Sequence, residues 1–421
     1  MRRTKIGYWE QLRCLIVLKS KPELRFIGFE NDWIHQSLDK VTERITRKNK
    51  NNESKLPLTI SAQYGLVDQI TYFNKQIASI DLSNYYLLQN GDFAYNKSYS
   101  KDYPWGVVKR LDKYKEGVLS SLYIVFKPLK VHSDFLVSYY ETSRWHKEVS
   151  MRATEGARNH GLLNISAADF LKTNLSIPID FEEQKKIGLF FKNLDETIDL
   201  HQQELDALKQ TKQGFLQKMF PKDGEIVPEV RFKNFMESWR EVSLGTISDS
   251  YSGGTPSAGN KQYYNGTIPF IRSAEINSST TELFLTEEGL NNSSAKLVQK
   301  GTILYAMYGA TSGEVGISRI DGAINQAILA IKPKEEYDIQ FLYQYLKKSK
   351  KSIVNSYLQG GQGNLSGAII KKVSIWLPEN REEQIKIGGF FRQLDEVIEL
   401  KEKEVEALKE TKKGFLQKMF I

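Results

Sequence analysis

Apolar residues recur alternately every four and three positions along two long segments of the chain, residues 182–220 and 382–420. A sustained 3.5-residue period with charges at the other positions is typical of the seam of a coiled coil. The alternative is an amphipathic helix lying along a globular core, which ordinarily shows a wider apolar face. The predicted apolar seam consists of Ile187, Phe191, Leu194, Ile198, Leu205, Leu208, Phe215, Met219, Ile387, Phe391, Leu394, Ile398, Val405, Leu408, Phe415 and Met419.

Two polar residues interrupt each seam at equivalent places. They are His201 and Lys212 in the first segment, and Lys401 and Lys412 in the second. Polar residues at seam positions can fix the register of two helices at some cost in stability. Alternatively, the His201 and Lys401 side chains extend out of the seam to solvent. If an approximate two-fold axis relates the two segments, the helices run antiparallel.

The two segments belong to a repeat that covers most of the chain. Residues 182–220 and 382–420 align without a gap, and 26 of the 39 positions are identical. The two copies also begin alike, since Pro22–Trp33 resembles Pro228–Trp239. The stretch Pro221–Glu229 contains proline and glycine, which predicts a linker that ends the preceding helix. The chain is therefore predicted to contain two copies of one unit.

Each copy has a divergent body before its long helix. Strand-like runs occur at Ser120–Pro128 and Ala327–Pro333, and helices are predicted at Asp134–Val149 and Asp338–Val354. The predicted fold class is α+β, with two mixed α/β bodies joined by two long antiparallel helices in an intramolecular coiled coil with pseudo-two-fold symmetry. The predicted boundaries are an N-terminal tail at 1–20, a first body at 21–181, a central helix at 182–220, a second body at 221–381 and a C-terminal helix at 382–421.

Composition narrows the range of partners and compartments. The chain has 59 basic and 51 acidic residues, a formal net charge of +8, which suits a polyanionic partner. The single cysteine, Cys14, excludes an internal disulfide framework and fits a reducing compartment. The apolar run Cys14–Leu18 is too short to span a membrane. We therefore expect a cytoplasmic protein.

Two loops in each body combine polar, aromatic and basic residues. Tyr95–Gly106 aligns with Tyr305–Gly316 at equal length but with almost no shared residues inside, and Glu155–Ser166 and Leu358–Ser366 end at a shared serine. Such side chains can contact base edges and phosphates of DNA, although ordinary surface turns have a similar composition. The candidate DNA-binding residues are Lys97, Tyr99, Ser100, Lys101, Arg158, Asn159, His160, Arg272, Tyr308, Thr311, Ser312, Gln362 and Asn364.

The sequence contains no constellation that indicates catalysis. It has no GxxxxGK[ST] phosphate loop and no Pro-Pro dipeptide of the kind found in adenine N6-methyltransferase motifs. Pro178–Lys185 resembles a nuclease site, but its spacing is too short, and the second copy has Asn380 in place of Asp180. The five histidines and one cysteine lack zinc spacing. We expect no catalytic residue and no metal site in this chain.

These features together resemble the specificity (S) subunit of type I restriction-modification systems. The resemblance rests on the Pro22–Trp33 start, on the Glu-Glu-Gln sequences at 182–184 and 382–384, and on the duplicated long helix. The stretch Ser252–Ile276, with its Gly-Gly-Thr-Pro element, is also similar to the start of a target recognition domain in that family. The first half lacks this element, so the limits of its recognition domain are less well defined.

The resemblance implies a division of labour among subunits. The S subunit would perform no chemistry, and its two target recognition domains would each read half of a bipartite, asymmetric site in double-stranded DNA. The coiled coil would set the spacer between the halves and dock two methyltransferase (M) subunits, and two restriction (R) subunits would complete the complex. S-adenosylmethionine, ATP and Mg²⁺ would be bound by the partner subunits, with no cofactor in this chain.

Two other classes of function are compatible with the residues alone. One is a single-chain DNA methyltransferase or nuclease with its own DNA reader. The other is a coiled-coil protein that binds a partner and has no role on DNA.

Overall fold

The computed structural model describes residues 20–75, 77–79, 81–153, 161–222, 224–358 and 364–421. Its contacts divide the chain into two compact units, which we name unit 1 (Met1–His201 with Glu404–Ile421) and unit 2 (Gln202–Lys403). The division falls within the two long helices and not at the linker after the first one. Each unit therefore contains one body, the first half of its own long helix and the last half of the other.

Unit 1 is built around an antiparallel sheet with the strand order β2-β9-β6-β7, and it also contains the pairs β1-β10, β3-β4 and β5-β8. Its strands are β1 Ile34–Ser37, β2 Thr42–Arg44, β3 Leu58–Ser61, β4 Gly65–Asp68, β5 Tyr86–Gln89, β6 Phe93–Asn96, β7 Val107–Arg110, β8 Glu116–Leu119, β9 Ile124–Pro128 and β10 Asn174–Ile177. Its helices are α1 Leu38–Val41, α2 Gln69–Phe73, α3 Ser133–Tyr140, α4 His146–Arg152, α5 Ala167–Leu171 and the first part of α6 Phe181–Lys218.

Unit 2 repeats this scaffold with the sheet β12-β19-β16-β17 and the pair β11-β20, and it adds a second sheet, β14-β13-β18-β15. Its strands are β11 Trp239–Ser243, β12 Ser248–Ser252, β13 Tyr264–Ile271, β14 Phe284–Leu285, β15 Lys296–Val298, β16 Ile303–Ala306, β17 Val315–Ile317, β18 Gly322–Ile324, β19 Ile328–Pro333 and β20 Ser374–Pro378. Its helices are α7 Leu244–Ile247, α8 Glu287–Asn291, α9 Ile339–Lys348, α10 Lys350–Leu358, α11 Gly367–Lys371 and the first part of α12 Arg381–Met419.

The α+β fold is confirmed, and each predicted body helix is divided in two. In unit 1 the break after α3 is a turn in which the Thr142 hydroxyl donates to the Tyr139 carbonyl at 2.7 Å. This turn carries Trp145 into the core, where its indole N–H donates to the Tyr140 carbonyl at 3.2 Å. In unit 2 the break between α9 and α10 falls at Ser349. Burial of the tryptophan therefore outweighs the helical pattern of the unit 1 segment.

The stretch that resembles a nuclease site is the N-terminal cap of each long helix. The carboxylate of Asp180 accepts from the Glu182 N–H at 2.8 Å, and the side-chain oxygen of Asn380 accepts from the Glu382 N–H at 2.9 Å. Aspartate and asparagine are both favoured in this role, which explains why the two copies differ here.

In each unit the two long helices run antiparallel and pair through equivalent residues. The Phe190 and Phe415 rings meet edge-to-face at 5.1 Å in unit 1, as do Phe215 and Phe390 in unit 2. The interrupting polar residues are paired with carboxylates of the opposing helix: His201 with Glu404, Lys401 with Glu204, Lys212 with Asp395, and Lys412 with Asp195. The Lys212 side chain is only 9% exposed, which excludes its extension into solvent.

Both predicted modes of helix packing, a coiled-coil seam and a helix lying along a globular core, occur in the long helices. Towards the middle of the helices, Ile198 and Leu205 are buried, and so are Ile398 and Val405. The seam residues that are half-buried are Leu194, Leu208, Phe215, Leu394, Leu408 and Phe415. At the helix ends the seam residues lie inside the body cores: Ile187, Phe191 and Met419 in unit 1, and Ile387, Phe391 and Met219 in unit 2.

The last residues of each helix complete the core of the unit in which the helix ends. Phe420 packs with Trp33, Phe135, Tyr139 and Phe191 in unit 1. Phe220 makes the same set of ring contacts in unit 2, with Trp239, Phe341, Tyr345 and Phe391. The duplicated GFLQKMF sequence is therefore a core anchor. Its glycines, Gly214 and Gly414, face open space, so no close approach to the backbone requires them there.

The shared start of each copy joins the beginning of one long helix to the end of the other. In unit 1 the Arg25 guanidinium donates to both oxygens of Glu183 at 2.6 and 2.7 Å, while the Leu24 N–H donates to the Lys418 carbonyl at 3.0 Å. In unit 2 the Arg231 guanidinium donates to both oxygens of Glu383, and the Val230 N–H donates to the Lys218 carbonyl. We call this arrangement the helix clip.

Among the described residues, no helix combines the length and apolarity that a bilayer span requires.

Removal of the Phe420 ring should loosen unit 1, although most residues of unit 1 lie more than 200 positions earlier in the chain. Phe420→Ala removes a fully buried ring, which typically costs about 3–5 kcal/mol. We expect faster amide hydrogen exchange in α3 and β1, with unit 2 unchanged. The matched variant Phe220→Ala should act on α9 and β11 alone. Loss of protection in residues 230–400 of the Phe420→Ala variant would contradict the assignment.

Breaking the helix clip should destabilise the protein far more than breaking an exposed ion pair. Arg25→Met leaves the buried carboxylate of Glu183 (1% exposed) without its cation, at an expected cost of about 3–5 kcal/mol in the free energy of unfolding. Asp32→Asn removes the exposed pair with Lys21 and should cost less than about 1 kcal/mol. Chemical denaturation would measure both. The double variant Arg25→Met/Glu183→Leu should recover part of the loss, and equal stability of the two single variants would refute the role of the clip.

Candidate nucleic-acid interface

In unit 1 the described part of the second predicted loop, residues 161–166, lies beside the first predicted loop. The Tyr99 N–H donates to the Gly161 carbonyl at 3.0 Å, and the Leu163 N–H donates to the Lys97 carbonyl at 2.8 Å. Between these bonds, Ser98 forms an antiparallel bridge with Leu162. The sequence predicted two separate polar loops, and the backbone joins them into one surface.

In unit 2 the described end of the second predicted loop, residues 364–366, also lies beside the first predicted loop. The Leu365 N–H donates to the Met307 carbonyl at 3.3 Å, and Leu365 is buried. The Ser312 hydroxyl donates to the same carbonyl at 3.0 Å. Asn364 is exposed beside this contact, and Tyr308 packs partly against the unit 2 core. The Thr311 hydroxyl lies 3.5 Å from the Tyr308 carbonyl.

The tyrosines that frame the loops belong to the cores. The Tyr95 ring stacks on Phe170 with centroids 4.2 Å apart, and its hydroxyl donates to the Trp105 carbonyl at 2.9 Å. Burial raises the pKa of both Tyr95 and Tyr305 well above the ordinary range. Among the predicted DNA-binding residues of this loop, Ser100 and Lys101 are exposed, whereas Lys97 and Tyr99 are half-buried.

The prediction that the two loops have equal length is wrong. In unit 1 Tyr95 pairs with Val108 of the neighbouring strand, thirteen residues later. In unit 2 Tyr305 pairs with Val315, ten residues later. Gly106 and Gly313 lie two residues before these partners, and both have left-handed backbone, with φ of +80° and +83°. Gly106 therefore corresponds to Gly313, not to Gly316. Glycine is required at this turn because other residues rarely adopt that conformation.

Arg272 is engaged within unit 2. Its guanidinium donates to Glu275 at 2.7 Å and to Glu282 at 2.6 Å, and Glu275 also accepts from the Arg272 N–H. Burial alone would raise the pKa of Glu275, but the hydrogen bonds from Arg272 and its neighbours hold it at about 2. A contact of Arg272 with DNA would have to be shared with two carboxylates. The other predicted residues, Arg158, Asn159, His160 and Gln362, lie outside the described residues.

The structure adds basic residues that the loop sequences did not indicate. In unit 1 a groove of about 410 Å³ runs beside the predicted loop. We call it the loop groove, and its lining includes Ala62, Asp102, Tyr103, Lys109, Lys409 and Lys413. The two lysines belong to the last turns of α12 and are distant from the loop in the sequence. Sequence reasoning assigned this part of α12 only to helix pairing and therefore missed them.

A third lysine of the same helix face has a structural role. The Lys412 ammonium lies 2.6 Å from Glu141 and also contacts Asp195. Burial alone would lower the pKa of Lys412, but the two carboxylates raise it above its ordinary value. Lys412 is thus charged and neutralised within unit 1.

Within the described ranges, His, Cys, Asp and Glu side chains form no group that could hold a metal ion.

Comparisons with known sequences all indicate the same protein family. The profile of the type I restriction modification DNA specificity domain matches the chain twice, at residues 39–210 and 236–410. The chain is similar to the putative type I restriction enzyme MjaX specificity subunit of Methanocaldococcus jannaschii, with 27% identity over 401 residues that cover 90% of this chain and 87% of that protein. It is also similar to the MjaIX specificity subunit of the same organism, with 31% identity over 196 residues, or 44% of each chain.

Two solved structures have a similar fold. The S subunit of a type I restriction-modification system from M. genitalium has a TM-score of 0.64 at 16% identity, and the match covers 95% of this chain and 99% of that one. A structure described as showing complex assembly and conformational transition of the type I R-M system has a TM-score of 0.53 at 18% identity, with coverage of 93% and 98%. At these identities the likeness concerns the fold alone.

Proposed function

The chain belongs to the family of type I restriction modification DNA specificity proteins, and from this premise we propose that its two bodies, residues 21–181 and 221–381, each read one half of a bipartite DNA site. The DNA specificity domain occurs in it twice. The observation that carries the proposal is one scaffold with two different sets of added elements. Both units have the same four-stranded sheet and the same two-stranded pair. On this scaffold unit 1 carries β3-β4 and β5-β8, whereas unit 2 carries β14-β13-β18-β15.

Different elements on equal scaffolds are what two readers of different half-sites require. Side chains that read bases must differ where the base pairs differ, because each base pair presents its own pattern of donors and acceptors in the major groove. The frame that positions them can stay the same. The net charge of +8 supplies the sequence-independent attraction to phosphates. The predicted DNA-binding residues at the loop surfaces remain part of this proposal.

The two long helices are proposed to set the spacer and to dock two copies of a methyltransferase subunit. Docking is supported by apolar side chains exposed at equivalent positions on otherwise charged helices. Leu200 is 55% exposed and Leu400 is 67% exposed, with Val397 one helical turn away at 46%. Contiguous apolar patches rimmed by polar residues mark interaction sites, whereas single exposed leucines are common, so the support comes from the equivalence of the two positions and from the neighbouring Val397. Since the two positions are equivalent, two identical partners can bind one chain.

The chain itself is proposed to be non-catalytic. Methyl transfer would use S-adenosylmethionine bound by the methyltransferase subunits, and restriction subunits with ATP and Mg²⁺ would complete the assembly. Binding of S-adenosylmethionine by the isolated chain, with methyl transfer to DNA, would instead show a single-chain enzyme.

Exchange of the unit 1 loop should change one half of the recognised site. Residues 97–103 would be replaced by an unrelated loop of equal length, with Tyr95 and Gly106 retained because they belong to the frame. Single-molecule methylation mapping of DNA from cells that make the chain and its methyltransferase would identify the sequence. The matched exchange of residues 308–312 should change the other half. A map in which both halves change after one exchange would contradict the proposal, as would a wild-type map without a bipartite site.

A charge at either exposed leucine should remove one methyltransferase copy. Leu200→Glu and Leu400→Glu each place a carboxylate in a contact that excludes water, which should weaken that site by at least about tenfold. Native mass spectrometry should then show one bound copy for each single variant and none for the double variant. Glu196→Gln, at an exposed polar position of the same helix, is the control. Two copies bound to the double variant would exclude this docking surface.

A further inference from the structure

We propose that the β3–β4 turn of unit 1, Ala62–Tyr64, contacts bases, and that Lys409 and Lys413 at the end of α12 hold the DNA backbone across the loop groove. The inference rests on the proposed function, which it makes specific to one unit and to named residues. It adds a reading element that lies in neither predicted loop. It also gives the end of the duplicated helix a role in DNA contact besides its role in the core.

The turn, the predicted loop and the lysines all contribute residues to one groove. Ala62, Asp102 with Tyr103, and the two lysines all line the groove of about 410 Å³. A molecule that lies in this groove therefore contacts the turn at Ala62, the loop and the end of α12 together. Tyr103 is 41% exposed within this surface.

The turn is held rigidly while its side chains remain exposed. The Ser61 hydroxyl accepts from the Tyr64 N–H at 3.2 Å, and Gly65 has φ of +75°, which closes the turn. On either side, Ile60 and Leu66 are buried in a core cluster. Gln63 is nevertheless exposed, and Tyr64 is 59% exposed. The Lys113 ammonium lies 5.8 Å from the centroid of the Tyr64 ring, and the turn presents this ring and the Gln63 amide to solvent on a well-anchored frame.

The exposed groups match the chemistry of a base edge and a phosphate. A glutamine amide carries one donor and one acceptor side by side, the pattern that adenine presents in the major groove. Tyrosine hydroxyls and lysine ammonium groups are common phosphate contacts. Lys413 is 62% exposed, and its nearest carboxylate, Glu410, lies 3.3 Å away on the same helix. The groove is also lined by the carboxylates of Asp102 and Glu141, but Glu141 is paired with Lys412, so an excess of positive charge remains around Lys109, Lys409 and Lys413.

Unit 2 does not repeat this arrangement. The residues that align with Ser61 and Ala62 are Ser273 and Ala274, and they form a short 3₁₀ turn closed by the Arg272–Glu275 ion pair. The position equivalent to Lys413 is the neutral Gln213, and Lys209, which is equivalent to Lys409, lies 2.7 Å from Glu402. The groove chemistry therefore belongs to unit 1, and its effects should be confined to the half-site that unit 1 reads.

The first test concerns the turn and uses the full chain assembled with its methyltransferase subunits. Gln63→Ala should reduce discrimination at one base pair of the unit 1 half-site by about tenfold and leave the other half unchanged, as measured by methylation of single-substitution DNA libraries. Gln213→Ala, at an exposed glutamine of the long helix within unit 2, is the control. A bipartite wild-type site with unaltered discrimination in Gln63→Ala would overturn this inference while the proposed function stood. A wild-type complex that reads no bipartite site would overturn the proposed function and the inference with it.

The second test concerns the lysines. Lys409→Gln/Lys413→Gln should weaken binding to specific and non-specific DNA by the same factor and lower the slope of log affinity against log salt by about 1 to 2. Lys403→Gln, an exposed lysine of the same helix, should have no such effect. The number of bound methyltransferase subunits should stay at two. An unchanged salt slope, or loss of a methyltransferase copy in place of a DNA effect, would overturn the phosphate role.

Discussion

The buried ion pair between Arg25 and Glu183, with its twin between Arg231 and Glu383, is the contact around which both units are organised. A buried pair is expensive to desolvate and is not by itself a source of stability. Its bidentate geometry, however, admits only one orientation of the segment that carries the arginine. The adjacent backbone N–H of that segment bonds the end of the other long helix. The clip therefore makes the start of one helix and the end of the other parts of the same core.

Sharing the helices in this way explains why the repeat is so uneven. The helix ends must fit a body core and an opposing helix at once, so their buried residues are constrained by packing on two sides. Phe420 and Phe220 show this, since each contacts four aromatic rings of the core that its helix reaches. The elements laid over the scaffold sheets carry no such double constraint. They are free to differ, which is the condition for reading two different half-sites.

Parts of the candidate site could be predicted from sequence, and parts could not. Polar loops between strands were recognisable, because turn residues and aromatic or basic side chains stand out from the apolar pattern. Their pairing through the Tyr99–Gly161 hydrogen bond was not, because it joins segments about sixty residues apart. The ion pairs of Arg272 with two carboxylates could not be predicted either, because the sequence around an arginine does not show whether its guanidinium is paired or exposed to solvent. Lys409 and Lys413 were missed because helix period was the dominant signal around them.

The sequence by itself determined the existence of two copies, the length and seam of the long helices, the mixed α/β character of the bodies and the family. These follow from periodicity and from repetition, which are local or directly comparable along the chain. Only the tertiary structure decided which half of each helix belongs to which unit, that GFLQKMF is a core anchor, and that Gly106 corresponds to Gly313. The physical reason is that these depend on contacts between residues far apart in sequence. Packing and buried ion pairs select such contacts, and neither produces a periodic pattern in the sequence.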